Sequence, residues 1–582
     1  MKRLASRAPL SLLLLLLVGL ALLALTGAAV RAQTQPVQTT PVPVPAPVPM
    51  AIGLAGINDW SVQQPFLNVM KTARAWIGHR PHQWGGVEYD ELVDTGVLDD
   101  AGWPIRIPDT LGSIGTLILT DLPEQALSLA GRYRLSFAGK GIVEVSGRVA
   151  NVRYGKGQVL FDYTPGPGHV DIRIQRRRGG QAGDYVRDIA VVKLEHVAAY
   201  DAGAIFNPDW LARVSGFKVL RYMDWMAINN STQSTWSNRP RVSDFSWAIK
   251  GAPLEVMLAL SARTKTDPWF NIPHLADDDY VTRFATMTRD GLAAERTAYV
   301  EFSNEVWNWQ FAQTTWADAA ARDEWGARDA GVQYYGVRAA EVARLWTDIY
   351  SATKPGRLVN VISSQTGWLG LEEMVLNAPD RPAGAARPVG AFQAYAVTGY
   401  FGGILGTEQR RELVHGWIED SRDAAEQNGR NDGLSDAALQ TYVTTHQYDL
   451  ATKRAAIELQ DGSISGDPVD TLQDLLGKTL PYHAEVAQKY QLDLIMYEGG
   501  THVVGIGAGV DDAVLTGFFT HFNYTPEMGD LYTSLIQGWR DLGGQLFNVY
   551  ADVSRPTKWG SWGALRYLSD SNPRWDAIVA AQ

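Results

Sequence analysis

Two glutamates stand at places where a carboxylate pair could do chemistry. Glu305 lies in "AYVEFSNEVWNWQF", residues 298–311, an apolar alternating stretch that finishes in Asn304, Glu305, Trp307 and Trp309. Glu498 lies much later, in "LDLIMYEGGTH", again where an apolar run gives way to glycines. Two facing carboxyl groups can cleave a glycosidic bond: one donates a proton to the leaving oxygen while the other attacks the anomeric carbon. Double displacement needs them roughly 5 to 5.5 Å apart. The donor must keep its proton near neutral pH, which an apolar setting beside Trp307 or Trp309 favours. Asn304 is suited to hydrogen-bond a sugar hydroxyl next to the reacting carbon. Each glutamate alone also has a plainer use, Glu305 as a helix cap and Glu498 as a loop residue. Corresponding positions at the ends of two strands are what favour catalysis.

The elements that must position them alternate along the chain. "AIGLAGIND", "KVLRYMDWM", "DPWFNIPH", "AYVEFSNE", "RLVNVISSQTGW", "FQAYAVTGYFGG", "LDLIMYEGG" and "GGQLFNVYADV" read as eight short apolar strands, each with a polar residue near its C-terminal end. Helical stretches such as "NPDWLARVSG", "APLEVMLALSART" and "DDYVTRFATMTRDGL" fall between them. This pattern predicts an α/β fold, a (β/α)8 TIM barrel with its chemistry on the loops at the strands' C-terminal ends. An open doubly wound sheet is the alternative, but neither GxGxxG nor GxxxxGK[ST] follows any strand. After the first strand, "QPFLNVMKTARAWI" reads as an amphipathic helix. From about Trp84 to His196 the texture changes to short strands punctuated by Gly, Pro and Asp, which predicts an inserted all-β sandwich after the first β/α unit. The expected organisation is a signal peptide at 1–32, a Pro-rich linker at 33–50, the first part of the barrel at 51–83, the β domain at 84–200 and the rest of the barrel at 201–582.

"SNEVWN" followed much later by "MYEGG" resembles the pattern of clan A glycoside hydrolases, the retaining (β/α)8 enzymes that include family 5 cellulases. The resemblance implies that Glu305 is the acid/base and Glu498 the nucleophile. It further implies that Arg221 on the second strand hydrogen-bonds the nucleophile and that His274, ending the third, contacts sugar. Tyr400, ending the sixth, would hold the nucleophile's oxygen, and Trp559 or Trp562 after the eighth would form the floor under the sugar. The fifth strand departs from the family pattern, offering Gln365 where a histidine is often found. Asp59 and Trp60 after the first strand, and Asp224 after the second, are further candidates at the same mouth. His274 and Arg221 also have ordinary readings as a packed histidine and a structural ion-pair partner.

The bulk properties are consistent with a weakly charged ligand. A net charge of -11 argues against a nucleic-acid backbone or an anionic membrane surface as partner. Twenty tryptophans suit large cores or flat amphipathic ligands. The start "MKRLASRAPLSLLLLLLVGLALLALTGAAVRAQ" has the basic, Leu-rich and small-residue regions of a signal peptide, with an uncleaved anchor as the alternative. Export to a bacterial periplasm or exterior is expected, with no membrane contact after cleavage. With no cysteine the chain has no disulfides, and its folding rests on core burial. No cofactor or metal is implied, since HExxH is absent and "DGSISGDPVD" lacks EF-hand spacing. The expected partner is a β-linked polysaccharide. A non-catalytic carbohydrate-binding barrel and a transglycosylase using the same carboxylates are the competing readings.

Overall fold

The computed structural model describes residues 48–176, 184–379 and 386–582. The expected signal peptide, and the linker up to residue 47, lie outside the described residues.

Eight parallel strands close into a barrel, which is a (β/α)8 TIM barrel. They are β1 (Met50–Gly53), β2 (Val219–Arg221), β3 (Asp267–Ile272), β4 (Ala298–Phe302), β5 (Leu358–Ser363), β6 (Ala394–Phe401), β7 (Asp493–Thr501) and β8 (Phe547–Val549). Closure is made by β8 on β1, where Met50 pairs with Phe547 and Ile52 with Val549. Strands covered on both faces need near-continuous apolar sequence, and "DPWFNI" of β3 is buried at every position.

The helices between the strands start at readable signals. Asp277 caps Asp278–Gly291 by accepting from the Tyr280 N–H, and Asn207 caps Pro208–Val214, which has proline in its first turn. The buried face of Asp278–Gly291 carries Tyr280, Val281, Phe284, Ala285 and Thr288, a spacing of three to four residues. Among the described residues no helix is long and apolar enough to cross a membrane.

Between β1 and the helix Pro208–Val214, the chain builds two antiparallel sheets. One orders its strands Arg187–Lys193, Gly131–Ala138, Gln158–Tyr163 and Ala150–Gly155. The other orders Gly86–Val87, Ile77–His79, Ser113–Ile118, Val170–Gln175 and Ile142–Gly147. Alternate residues of Gln158–Tyr163 are buried, as expected of a sheet with one face on a core.

The helix expected over "QPFLNVMKTARAWI" does not form; the segment holds only a 3-10 turn, Val69–Thr72. Tertiary pairing has overridden its helical periodicity. The Asn68 side-chain Oδ1 accepts from the Val191 N–H at 2.9 Å, the Arg74 N–H donates to Leu117 O at 3.1 Å, and the Trp76 indole donates to Gly102 O at 2.8 Å. Ile77–His79 is already a strand of the second sheet, so the β-rich part begins before residue 84 and within the first β/α unit.

The barrel is tied shut beside its mouth. Asp552, just after β8, accepts from the Trp210 indole at 2.8 Å and from the Ala55 N–H at 2.8 Å. Trp210 is fully buried and stacks on Trp225 with ring centroids 5.4 Å apart. Trp210→Ala removes that stack and the indole donor together. The substitution is expected to cost about 3–5 kcal/mol of stability, read as a lowered urea midpoint.

Candidate active site

Arg221, the last residue of β2, is 1% exposed and its guanidinium reaches three partners on or just after two other strands. Nη1 donates to Glu498 Oε1 at 2.8 Å, and Nη2 donates to Glu301 Oε2 at 3.0 Å and to Asn304 Oδ1 at 2.9 Å. Its Cζ lies over the rings of both Trp269 and Tyr497, 5.3 Å from each centroid. Burial works against its charge, but the Glu301 and Glu498 carboxylates outweigh that and hold the guanidinium protonated.

Glu498 is gripped by both oxygens, since the Tyr400 hydroxyl donates to Oε2 at 2.9 Å. Burial is the main influence on its acidity and pushes it up to about 8; Arg221 and Tyr400 pull it down, while Glu305 and Asp224 push it further up. Asp224 is itself raised by burial, and its Oδ2 accepts from the Tyr550 hydroxyl at 3.1 Å.

Glu305 takes a different set of partners. Its Oε1 accepts from the Tyr497 hydroxyl at 2.8 Å and its Oε2 from the Asn308 amide at 2.9 Å. Tyr497 and Glu498 are neighbours on β7, yet both face the site. The β6–β7 register explains this: Val397 pairs with Met496 and Thr398 with Glu498, leaving Tyr497 as the extra residue of a bulge. The backbone is also unusual beneath Glu305, with φ of +61° at Ser303 and +42° at Glu305. Left-handed conformations in non-glycine residues are uncommon and cluster at functional sites.

Asn304 has its amide orientation fixed by chemistry, because a guanidinium can only donate. Its Oδ1 therefore faces Arg221 and its Nδ2 donates, to Asn229 Oδ1 at 3.2 Å. Gln313 locks this corner by donating to Asn229 Oδ1 and Asn304 O, each at 2.8 Å.

Of the residues expected from sequence, Glu305, Glu498, Asn304, Arg221 and Tyr400 are brought into one network. Trp562 stands beside it, its ring centroid 5.8 Å from Tyr400, 5.9 Å from Tyr550 and 5.5 Å from His502. Trp559 and Trp309 are exposed, at 63% and 75%. Trp307 is buried edge-on to Tyr335, so the setting of Glu305 is made by Tyr497 and Asn308 rather than by a close indole. His274 is buried against Trp316, and its Nδ1 has no partner among the described residues. Asp59 is also buried and spends its oxygens on Arg74 and Thr120. Gln365 is exposed and accepts from the Trp368 N–H.

Sequence reading missed Glu301, Tyr497, Asn308, Asn229 and Tyr550. Glu301 carried a signal in hindsight, as a lone charge within an otherwise apolar strand. The Tyr497 bulge carried none.

Arg221→Leu leaves the Glu301 and Glu498 carboxylates buried without their cation, with an expected cost of about 3–5 kcal/mol. The cost belongs to the ionised form of Glu498, which burial pushes up to about 8, so it is greatest above that pH and is relieved as the pH falls and Glu498 takes up its proton. Denaturant melts of parent and variant across pH should therefore converge on the acid side.

No family model matches the chain, and no curated protein matches it. Among solved structures, a fungal β-1,4-galactanase is similar over 66% of this chain and 96% of its own, at 9% identity and a TM-score of 0.28. The Clostridium thermocellum endo-1,4-β-D-xylanase 10B, a CBM22–GH10 pair of modules complexed with xylohexaose, is similar over 90% of this chain and 97% of its own, at 9% identity and a TM-score of 0.31. A GH5-4 broad-specificity endoglucanase from an uncultured bacterium is similar over 63% and 80%, at 12% identity and a TM-score of 0.27. Likenesses this loose assign no activity to the chain. The barrel stands on its own strand pairing, and its chemistry on the side chains at its mouth.

Proposed function

We propose that the chain is a retaining glycoside hydrolase that cleaves a β-linked polysaccharide, a glucan or an exopolysaccharide, outside the cytoplasm after export through residues 1–32. The observation that carries this reading is a carboxylate, Glu498, held at both oxygens by Arg221 and Tyr400 and electrostatically coupled to a second carboxyl group, Glu305.

In the first step Glu498 attacks the anomeric carbon as the bond to the leaving oxygen breaks, and Glu305 gives that oxygen its proton. Arg221 and Tyr400 fix the Glu498 carboxylate plane, so attack needs little reorientation. Glu305 is left as a carboxylate, the form that Tyr497 and Asn308 stabilise by donation. In the second step Glu305 takes a proton from water, which attacks the same carbon and releases Glu498. Two inversions return the starting configuration. Asn304, its oxygen tied to Arg221 and one N–H to Asn229, has its second amide N–H left for a sugar hydroxyl beside the reacting carbon. Trp309, Trp368 and Trp559, exposed after β4, β5 and β8, offer flat faces on which a polymer's further sugars can stack.

Incubation with a panel of β-linked polysaccharides, with released reducing ends measured, tests the reading. Glu305→Ala is expected to lower turnover about 10²- to 10⁴-fold, and Glu498→Ala at least as far. Proton NMR of the first-formed product should show the β anomer; an initial α product rules out retention. Binding without release by the parent moves the chain to the carbohydrate-binding class, and a product dominated by new linkages at high acceptor concentration moves it to the transglycosylases.

The acidity of Glu498 gives a separate expectation. Attack needs its ionised form, and burial raises the pH at which that form appears. The acid limb of kcat/KM should therefore lie well above 4.5, the ordinary glutamate value. A limb at the ordinary value contradicts the assignment.

A further inference from the structure

Glu301 of β4 lies beneath the site, 1% exposed, and accepts four hydrogen bonds. Arg221 Nη2 at 3.0 Å, Trp269 Nε1 at 3.1 Å and Asn271 Nδ2 at 2.8 Å all donate to Oε2, and Ser363 Oγ donates to Oε1 at 2.8 Å. Three neighbouring strands contribute these donors, a convergence that a buried residue needed only for packing does not require. Nothing in the proposed chemistry touches Glu301, yet it shares a guanidinium with both Glu498 and Asn304.

We propose that Glu301 is a positioning residue: its carboxylate fixes the plane of Arg221 and takes up part of its charge, so that Arg221 orients Glu498 and Asn304 without binding Glu498 as its sole counter-ion. This rests on the reading of Glu498 as nucleophile. One cation serving one carboxylate would hold it as a tight ion pair and blunt its reactivity. A cation divided between two carboxylates holds the geometry with a weaker grip on each.

The other charged or titratable groups facing Glu498 are Asp224 after β2, Glu305 after β4, Tyr400 on β6, Tyr497 on β7 and Tyr550 after β8, with His502 behind Tyr400. None is a cation that could replace Arg221 as the counter-ion. Removing the Glu301 charge therefore hands Arg221 to Glu498.

Glu301→Gln tests this while keeping the shape. An amide oxygen can still accept from Arg221, Trp269 and Asn271, and its NH2 can donate to Ser363 Oγ, because a hydroxyl both gives and accepts. In protein carrying glutamate labelled with 13C at the carboxyl carbon, the Glu498 signal is identified by its loss in Glu498→Gln and followed through a pH titration without substrate. The Glu498 midpoint in Glu301→Gln should fall by about one pH unit, and the acid limb of kcat/KM should move down with it. Glu301→Asp keeps the charge one methylene further back and should lower the midpoint by less. An unchanged midpoint in Glu301→Gln, or equal shifts in the Gln and Asp variants, overturns the proposal. Should Glu301→Gln fail to fold, the Asp variant decides alone: a downward shift supports the proposal and no shift overturns it. The titration needs no activity, so a parent that hydrolyses nothing would defeat the glycosidase reading and leave the charge sharing still measured.

Discussion

A guanidinium buried in a barrel costs a great deal of hydration, and Arg221 recovers it by satisfying groups that no local sequence brings together. Its partners lie 277 residues away at Glu498 and 80 away at Glu301. The planar fork suits this use better than an ammonium, since each nitrogen points in a set direction and the faces remain free for Trp269 and Tyr497. The geometry of the mouth is thus set from inside the barrel. Loops above it can differ in height or composition without moving the Arg221–Glu498–Asn304 core.

Around that cation the two principal carboxyl groups live in different surroundings. Glu498 is held by a cation and a phenol and is opposed by burial and by two other acids. Glu305 meets only neutral donors, one from the β7 bulge and one from its own loop. Unequal environments allow two chemically identical side chains to take different roles in one site. The bulge is what makes this possible, since a regular β7 would send Tyr497 and Glu498 to opposite faces.

Much of this was legible in the sequence, for reasons that also explain the omissions. Strands buried on both faces announce themselves as short apolar runs, so all eight barrel strands could be read, and with them the positions of Glu305, Glu498, Arg221 and Tyr400. A bulge leaves no compositional mark, which hid Tyr497. Glu301 was read as part of an apolar strand because the donors that make a buried carboxylate tolerable come from β2, β3 and β5. Periodicity misled at residues 64–77, whose apolar positions suit a helix but are used for contacts in several directions. Trp307 and Asp59 show the same limit: position at a strand end does not say which way a side chain turns.

The added sheets bear on the mouth through a small set of links. Thr120 donates its N–H to Asp59 O at 2.8 Å and its hydroxyl to the Asp59 carboxylate, which also pairs with Arg74. Arg555, at the root of the loop that carries Trp559 and Trp562, donates to the Asp121 carbonyl. The loops after β1 and β8 are therefore both anchored to one turn, residues 120–121, that follows the strand Ser113–Ile118. Through these bonds the sheets reach the rim on which the indoles of the β8 loop stand. The same bonds explain why Asp59 is buried against the sheets instead of facing the site.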